Sequence, residues 1–247
     1  MTNRSVVLRS ILFHVAAVAA MLPFVPVLPL LLVPDRGVSR PFVTAYLRLL
    51  AILARAVAGI GWRIEGIENL PPAPFLVASR HESAWEVLFF PLIFDDPLAF
   101  AKREIFSYPL GGLIARRGGH VAIDRGGDLA GLKAAFEAAR RAVAAGRNVL
   151  IFPSGTRDPA QRDRIHGGVG ALYDLLGVPC VPVELDSGTC WPPGTWLKRP
   201  GTVHVRIGAP IPVGLDRRTF ADTLRTRLEA LAREASPTTG DVREKTA

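Results

Sequence analysis

The chain has 247 residues, enough for one domain of about 200 residues with an appendage, or for two small domains. It is 49% hydrophobic yet carries a formal net charge of +8, a pairing that suits a protein lying on an anionic surface better than a freely soluble one. No Lys/Arg block is interleaved with aromatics and no zinc-finger or helix-turn-helix spacing occurs, which argues against nucleic acid. Cys180 and Cys190 lack CxxC or histidine spacing, which argues against a disulfide framework and a metal site and fits a reducing cytoplasm.

From Ser10 to Val33 the chain holds no Lys, Arg, Asp or Glu, and by length alone this stretch would cross a bilayer. Pro23, Pro26 and Pro29 each remove a backbone donor, so a bent or half-inserted helix fits better than a straight span. Arg4, Arg9 and the small-residue run after the apolar core also resemble a secretory leader, while the same arginines favour a cytoplasmic N-terminus. In the next segment Leu47, Leu50, Ala54, Val57 and Ala58 share one helical face, and Arg48 and Arg55 lie on another. That pattern is an interfacial helix whose arginines reach lipid headgroups, ending near Trp62; an ordinary core-facing helix is the alternative. Together the segments predict a monotopic N-terminal unit over residues 1–62.

After "NLPPAP" short apolar strands alternate with helical stretches. Strands are expected over 74–79, 97–102, 119–124, 148–153, 178–185 and 202–208, and helices over 83–93, 128–145, 168–176 and 218–234. In the clearest helix, Asp128 serves as cap and Gly146 as stop. This alternation predicts an α/β fold over 63–236, with a mixed, largely parallel sheet flanked by helices. The polar, aromatic-free tail 237–247 is expected to be disordered.

Sites in such sheets gather at strand carboxyl ends. The first strand runs into His81, the second into Lys102 and Arg103, the third into Asp124 and Arg125, and the fourth into Ser154, Gly155, Thr156 and Arg157. One histidine with several cations at neighbouring tips points to a phosphate-bearing substrate deprotonated by His81. His81 and Glu86 are five apart and meet only if His81 precedes the first helical turn. A carboxylate on the far imidazole nitrogen fixes the tautomer and raises the basicity that a general base for an alcohol needs. A buried histidine satisfied by a neighbour is the bland alternative. Glu82 is expected to face elsewhere, and His14, His120, His166 and His204 lack metal-ligand spacing.

These segments resemble a known family. "HESAWE" looks like the HxxxxD box of glycerolipid acyltransferases, in particular bacterial 1-acylglycerol-3-phosphate acyltransferases (PlsC-like). "AKREIFSYPLGG", "GGHVAIDRG", "IFPSGTRD" and "GVPCVPVELDSGTCW" resemble its further blocks, in order, over about residues 60 to 213. The resemblance implies that His81, oriented by Glu86, deprotonates the free hydroxyl of a lysophospholipid, which attacks acyl-CoA or acyl-ACP, used as cosubstrate with no cofactor. Lys102, Arg125 and Arg157, with Arg103 and the 154–156 turn nearby, would hold the phosphate, and a backbone amide of that turn would stabilise the oxyanion. It also implies attachment to the cytoplasmic membrane, with the site on the cytoplasmic face.

Two departures stand out. Glu86 replaces the usual aspartate, and its longer arm still reaches a loop histidine. Ser154 stands where the family has glutamate, which leaves the acceptor open between lysophosphatidic acid and another lysolipid such as lyso-ornithine lipid, and keeps a non-catalytic lipid binder in play. Glu184 or Asp186 is a candidate replacement for that carboxylate. No G-x-S-x-G elbow supports a serine hydrolase.

Overall fold

The computed structural model describes residues 3–33, 35–123 and 129–234. The apolar N-terminal stretch forms α1 (Asn3–Ala19) and then a 3₁₀ segment, Leu22–Leu32, bent by 43° from it. Three residues per 3₁₀ turn place Pro23, Pro26 and Pro29 on one side, and all three are exposed. α1 is inverted for a water-facing helix: Ser10 and Phe13 are buried, whereas Leu8, Ile11, Leu12, Val15 and Val18 point outward, Val18 being 66% exposed. The Ser10 hydroxyl accepts from the Lys198 backbone amide at 2.8 Å. Beside it the Lys198 ammonium lies 4.5 Å over the Trp191 ring, and burial lowers its pKa to about 8.

A second helix, α2 (Arg36–Leu53), continues through a π turn to Ala58. The whole stretch Arg36–Ala58 is the one described helix long and apolar enough on its own to cross a membrane, by length and composition. Leu47, Leu50, Ala54 and Ala58 are buried as their spacing predicts, and Arg48 and Arg55 are exposed with Ile52. The helix stops short of Trp62 because Gly59 takes the left-handed conformation, at φ +73°, and β1 (Ile60–Glu65) begins at once. The sheet therefore starts before the boundary drawn at residue 63.

Strands β2 (Leu76–Ser79), β3 (Leu98–Lys102), β4 (Val121–Ile123), β5 (Val149–Ile151) and β6 (Cys180–Leu185) run parallel. β7 (Gly201–Ile207) is antiparallel to β6 and parallel to β1, giving one mixed sheet in the order β1-β7-β6-β2-β5-β3-β4. β2 and β6 are buried on both faces, as continuous apolar runs in a covered sheet require. The six expected strands and four expected helices all form, mostly shorter than drawn. The helices are α3 (Trp85–Ile93), α4 (Pro109–Arg117), α5 (Leu129–Ala144), α6 (Gly167–Leu176), the single-turn α7 (Ser187–Cys190) and α8 (Arg217–Glu234).

One core packs α1 to α3 on the sheet through Phe13, Trp85, Phe89, Phe90, Val181 and Trp191. The other packs α5, α6 and α8 on the opposite face through Ala139, Leu172, Tyr173, Phe220 and Leu224. Each fully buried large side chain contributes about 1.5–3 kcal/mol. Gly146, at φ +76°, follows α5 as expected; Asp128 and the tail 237–247 lie outside the described residues.

Candidate active site

β2 delivers its carboxyl end beside those of β5 and β6. The chain then runs through Arg80, His81, Glu82 and Ser83 before α3 starts at Trp85, two residues later than expected. The delay has a local cause. The Ser83 hydroxyl accepts from the Trp85 amide at 2.9 Å, and Glu86, in the first helical turn, reaches back to accept from the amides of Glu82 at 2.6 Å and Ser83 at 2.7 Å. A carboxylate so placed satisfies donors that the helix start leaves open.

The same Glu86 oxygen, Oε1, lies 2.8 Å from His81 Nδ1, so the pair meets as the loop placement predicts. Its other oxygen accepts from Ser83 at 3.1 Å and from Ser187 at 2.7 Å. Glu86 is fully buried, and burial alone would raise its pKa. The hydrogen bond and charge of His81, with the Ser83 amide and the Ser187 hydroxyl, outweigh burial and hold it below the ordinary carboxylate range.

The imidazole is stacked on Phe152 at 4.0 Å and 17°, and its side chain is 13% exposed. The Arg157 Nε–H donates to His81 Nε2 at 3.1 Å. Glu86 at Nδ1 and Arg157 at Nε2 select one tautomer of the unprotonated ring, with the proton on Nδ1 facing the carboxylate and a lone pair on Nε2 facing outward. An imidazole held in that state can accept a proton at Nε2 while the buried anion stabilises the resulting cation.

The 153–157 segment turns sharply after β5. Gly155 sits at φ +61° and its amide donates to the Phe152 carbonyl at 2.9 Å. That amide is engaged inside the turn. The Ser154 hydroxyl donates to the Thr156 carbonyl, and Thr156 Oγ1 accepts from the Asp158 amide. Of the expected cations, Arg157 is hydrogen-bonded to His81. Lys102 and Arg103 stand exposed at the β3 tip, separated from β2 by β5, with the Lys102 ammonium 3.0 Å from Glu104. Arg125 lies outside the described residues.

Glu82 does face elsewhere: it accepts from the Gly188 amide at 3.1 Å and lies 3.4 Å from Arg162. Burial raises its pKa, opposed by that amide and by Arg162. Asp186 pairs with His204 at 2.9 Å. His166 is exposed and donates to the Ser154 carbonyl at 3.2 Å. His120 accepts from the Ala99 amide, and burial, with Arg147 and Arg36, drives its pKa to about 4. Ser187 and Arg162 were not singled out in the sequence: Ser187 lies in the block "GVPCVPVELDSGTCW" but reaches Glu86 from 101 positions away, and Arg162 lies outside the quoted blocks. Among the described residues, no group of three or more His, Cys, Asp and Glu is placed to hold a metal ion.

Comparison with known proteins converges on this region. The chain is 34% identical over 205 residues to the 1-acyl-sn-glycerol-3-phosphate acyltransferase of Pseudomonas aeruginosa, covering 82% of this chain and 79% of that one. It is 30% identical over 210 residues to the lyso-ornithine lipid O-acyltransferase of the same organism, covering 75% and 79%. Among solved structures, the 1-acyl-sn-glycerophosphate (LPA) acyltransferase PlsC from Thermotoga maritima superposes with a TM-score of 0.72 at 18% identity, covering 95% and 98% of the two chains, and shares the fold. The family model described as Acyltransferase matches residues 61–186, which hold His81, Glu86 and Arg157, and the chain belongs to that family.

Proposed function

We propose that the protein transfers a fatty acyl group from acyl-CoA or acyl-ACP to the free hydroxyl of lysophosphatidic acid, giving phosphatidic acid. The observation that carries this reading is a single-tautomer imidazole at a strand tip, held from behind by buried Glu86 and met at Nε2 by Arg157. On binding, the acceptor's phosphate takes the Arg157 guanidinium and its hydroxyl takes the place of the Nε–H donor. Nε2 then accepts the hydroxyl proton as the oxygen attacks the thioester carbonyl carbon. The carbon–sulfur bond breaks, and the departing thiolate takes the proton back from His81. Holding both reactants in line supplies much of the acceleration. Lys102 and Arg103 add positive charge at the β3 tip, Arg125 is assigned to the same phosphate-holding set, and a guanidinium fork suits a phosphate.

α1's outward apolar row and the apolar Arg36–Ala58 helix support membrane association. We assign the helices before β1 to that attachment and the sheet with its flanking helices to catalysis, with the site on the cytoplasmic face. The test is thiol release by purified protein in detergent, with lysophosphatidic acid and with lyso-ornithine lipid as acceptors. Wild type is expected to prefer the phosphate-bearing acceptor. Equal release by His81→Ala would remove the catalytic reading, and a preference for lyso-ornithine lipid would reassign the acceptor.

A further inference from the structure

The charged residues behind the His81–Glu86 pair form a second structure that the reaction above does not use. Glu184, on β6, is 1% exposed. Its two oxygens take different guanidinium groups: Oε2 lies 3.2 Å from Arg80 Nε, and Oε1 is ion-paired with Arg162. Arg80, itself 4% exposed, is the residue immediately before His81. It also holds Asp163 at 2.5 Å and the Arg162 carbonyl. Arg162 completes the circuit through Glu82, the residue immediately after His81, at 3.4 Å. The 157–166 segment that brings Arg157 onto the imidazole is thus tied on both sides to the loop that carries the imidazole, and one buried carboxylate is common to both ties.

A charge buried this deeply is costly unless it is paired, and removing it would leave two guanidinium groups facing each other. The contacts of Glu184 therefore fix relative position. Beside this cluster, Ser154, Arg80 and Arg162 line one recess. Ser154 is uncharged, so the turn after β5 brings no anion to the recess that it lines with the two guanidinium groups.

We propose that Glu184 is a positioning residue that holds Arg157 in register with His81, supplying from β6 the negative charge that the turn after β5 lacks at Ser154. It touches no reacting atom and acts through Arg162 on one side and Arg80 on the other. Its consequence for the reaction rests on the acyl-transfer reading above; its effect on the loop does not.

Two readouts separate these. Hydrogen exchange on the full chain in detergent reports the loop directly: Glu184→Gln is expected to lower the melting temperature, because two guanidinium groups lose their shared anion, and to speed amide exchange in 157–166 about tenfold more than in β2 and β6. Steady-state kinetics with lysophosphatidic acid report the function: the acceptor KM is expected to rise about tenfold, with kcat changed less than about threefold. Adding S154E to the Glu184→Gln protein is expected to reverse both changes, which a purely structural role for Glu184 would not allow. If Glu184→Gln fails to fold, Arg162→Gln removes the loop-side tie alone and is expected to give the same local exchange. Unchanged exchange in 157–166, loosening spread evenly over the sheet, or no recovery on adding S154E would each overturn the proposal. A wild-type protein that releases no thiol would sink the acyl-transfer reading while leaving the exchange result to decide this one.

Discussion

Replacing Glu86 with glutamine removes one charge and almost nothing else. Two backbone amides and the His81 Nδ1–H converge on Oε1, and all three are donors. The carboxamide oxygen must therefore occupy that site, and its NH₂ falls where the hydroxyls of Ser83 and Ser187 can turn to accept. The imidazole keeps its tautomer and loses only the anion behind it. With charge centres about 4 Å apart and an effective dielectric of about 20, the lost attraction to a full imidazolium is about 4 kcal/mol. The cation is only partly developed in the transition state, so kcat is expected to fall about 10²–10³-fold. KM for lysophosphatidic acid should change less than about threefold, because Glu86 is buried behind the ring. Thiol release under saturating acyl-CoA measures both. A loss below about fivefold in a folded Glu86→Gln protein would mean that no positive charge builds on His81, and the general-base assignment would fall.

Arg157→Ala is expected to raise the KM for a phosphate-bearing acceptor by at least about tenfold, since a guanidinium–phosphate pair forms charge-assisted hydrogen bonds; an unchanged KM would move phosphate recognition elsewhere. Acid stability carries a second signature. The folded pKa of Glu86 lies below the ordinary glutamate value of 4.5, so its contribution is complete above about pH 4.5 and is lost as pH falls through the lower folded value. Melting temperature should fall with acidification in that window, and less so in Glu86→Gln; parallel curves would contradict the depressed pKa. Glu82, raised mainly by burial and in smaller part by Glu86, contributes with the opposite sign, and less so once Glu86 is neutral. Finally, Val15→Asp with Val18→Asp places two charges on the outward row of α1 and is expected to cut the vesicle-bound fraction at least about tenfold, because each charge opposes burial in hydrocarbon by about 2.5–3.5 kcal/mol at its deepest. Full retention on vesicles would remove α1 from the attachment surface.

Periodicity and punctuation carried most of the architecture. The central strands are legible because burial on both faces leaves an unbroken apolar run, as in "NVLIFP" and "VPCVPVEL". β1 was not legible: "IGWRIE" alternates weakly and follows a helix without a polar break, so only the left-handed turn at Gly59 separates the two. α4 was missed because "PLGGLIARR" carries two glycines, one of which is required where the chain passes the Phe106 carbonyl; a Cβ on Gly112 would lie 2.2 Å from it. The His81–Glu86 contact followed from spacing once His81 was placed in a loop. Ser187 and the Glu184 pairs could not follow from sequence, because sheet order alone brings β6 beside β2. Lys102 shows the limit of reading strand tips one by one: sharing an edge does not fix which side chain reaches the base.

α1 gives the chain an uncommon constraint on handling. Its outer side is an exposed apolar row, while its inner side is a stopper: the Phe13 ring fits edge-on against Trp191 at 5.4 Å, and Ser10 closes on Lys198. Clipping the helix to make a tractable fragment would not yield a drier, simpler enzyme. It would swap a greasy exterior for an unplugged socket, leaving indole faces and a half-desolvated amine to find another cover, most readily in a neighbouring molecule.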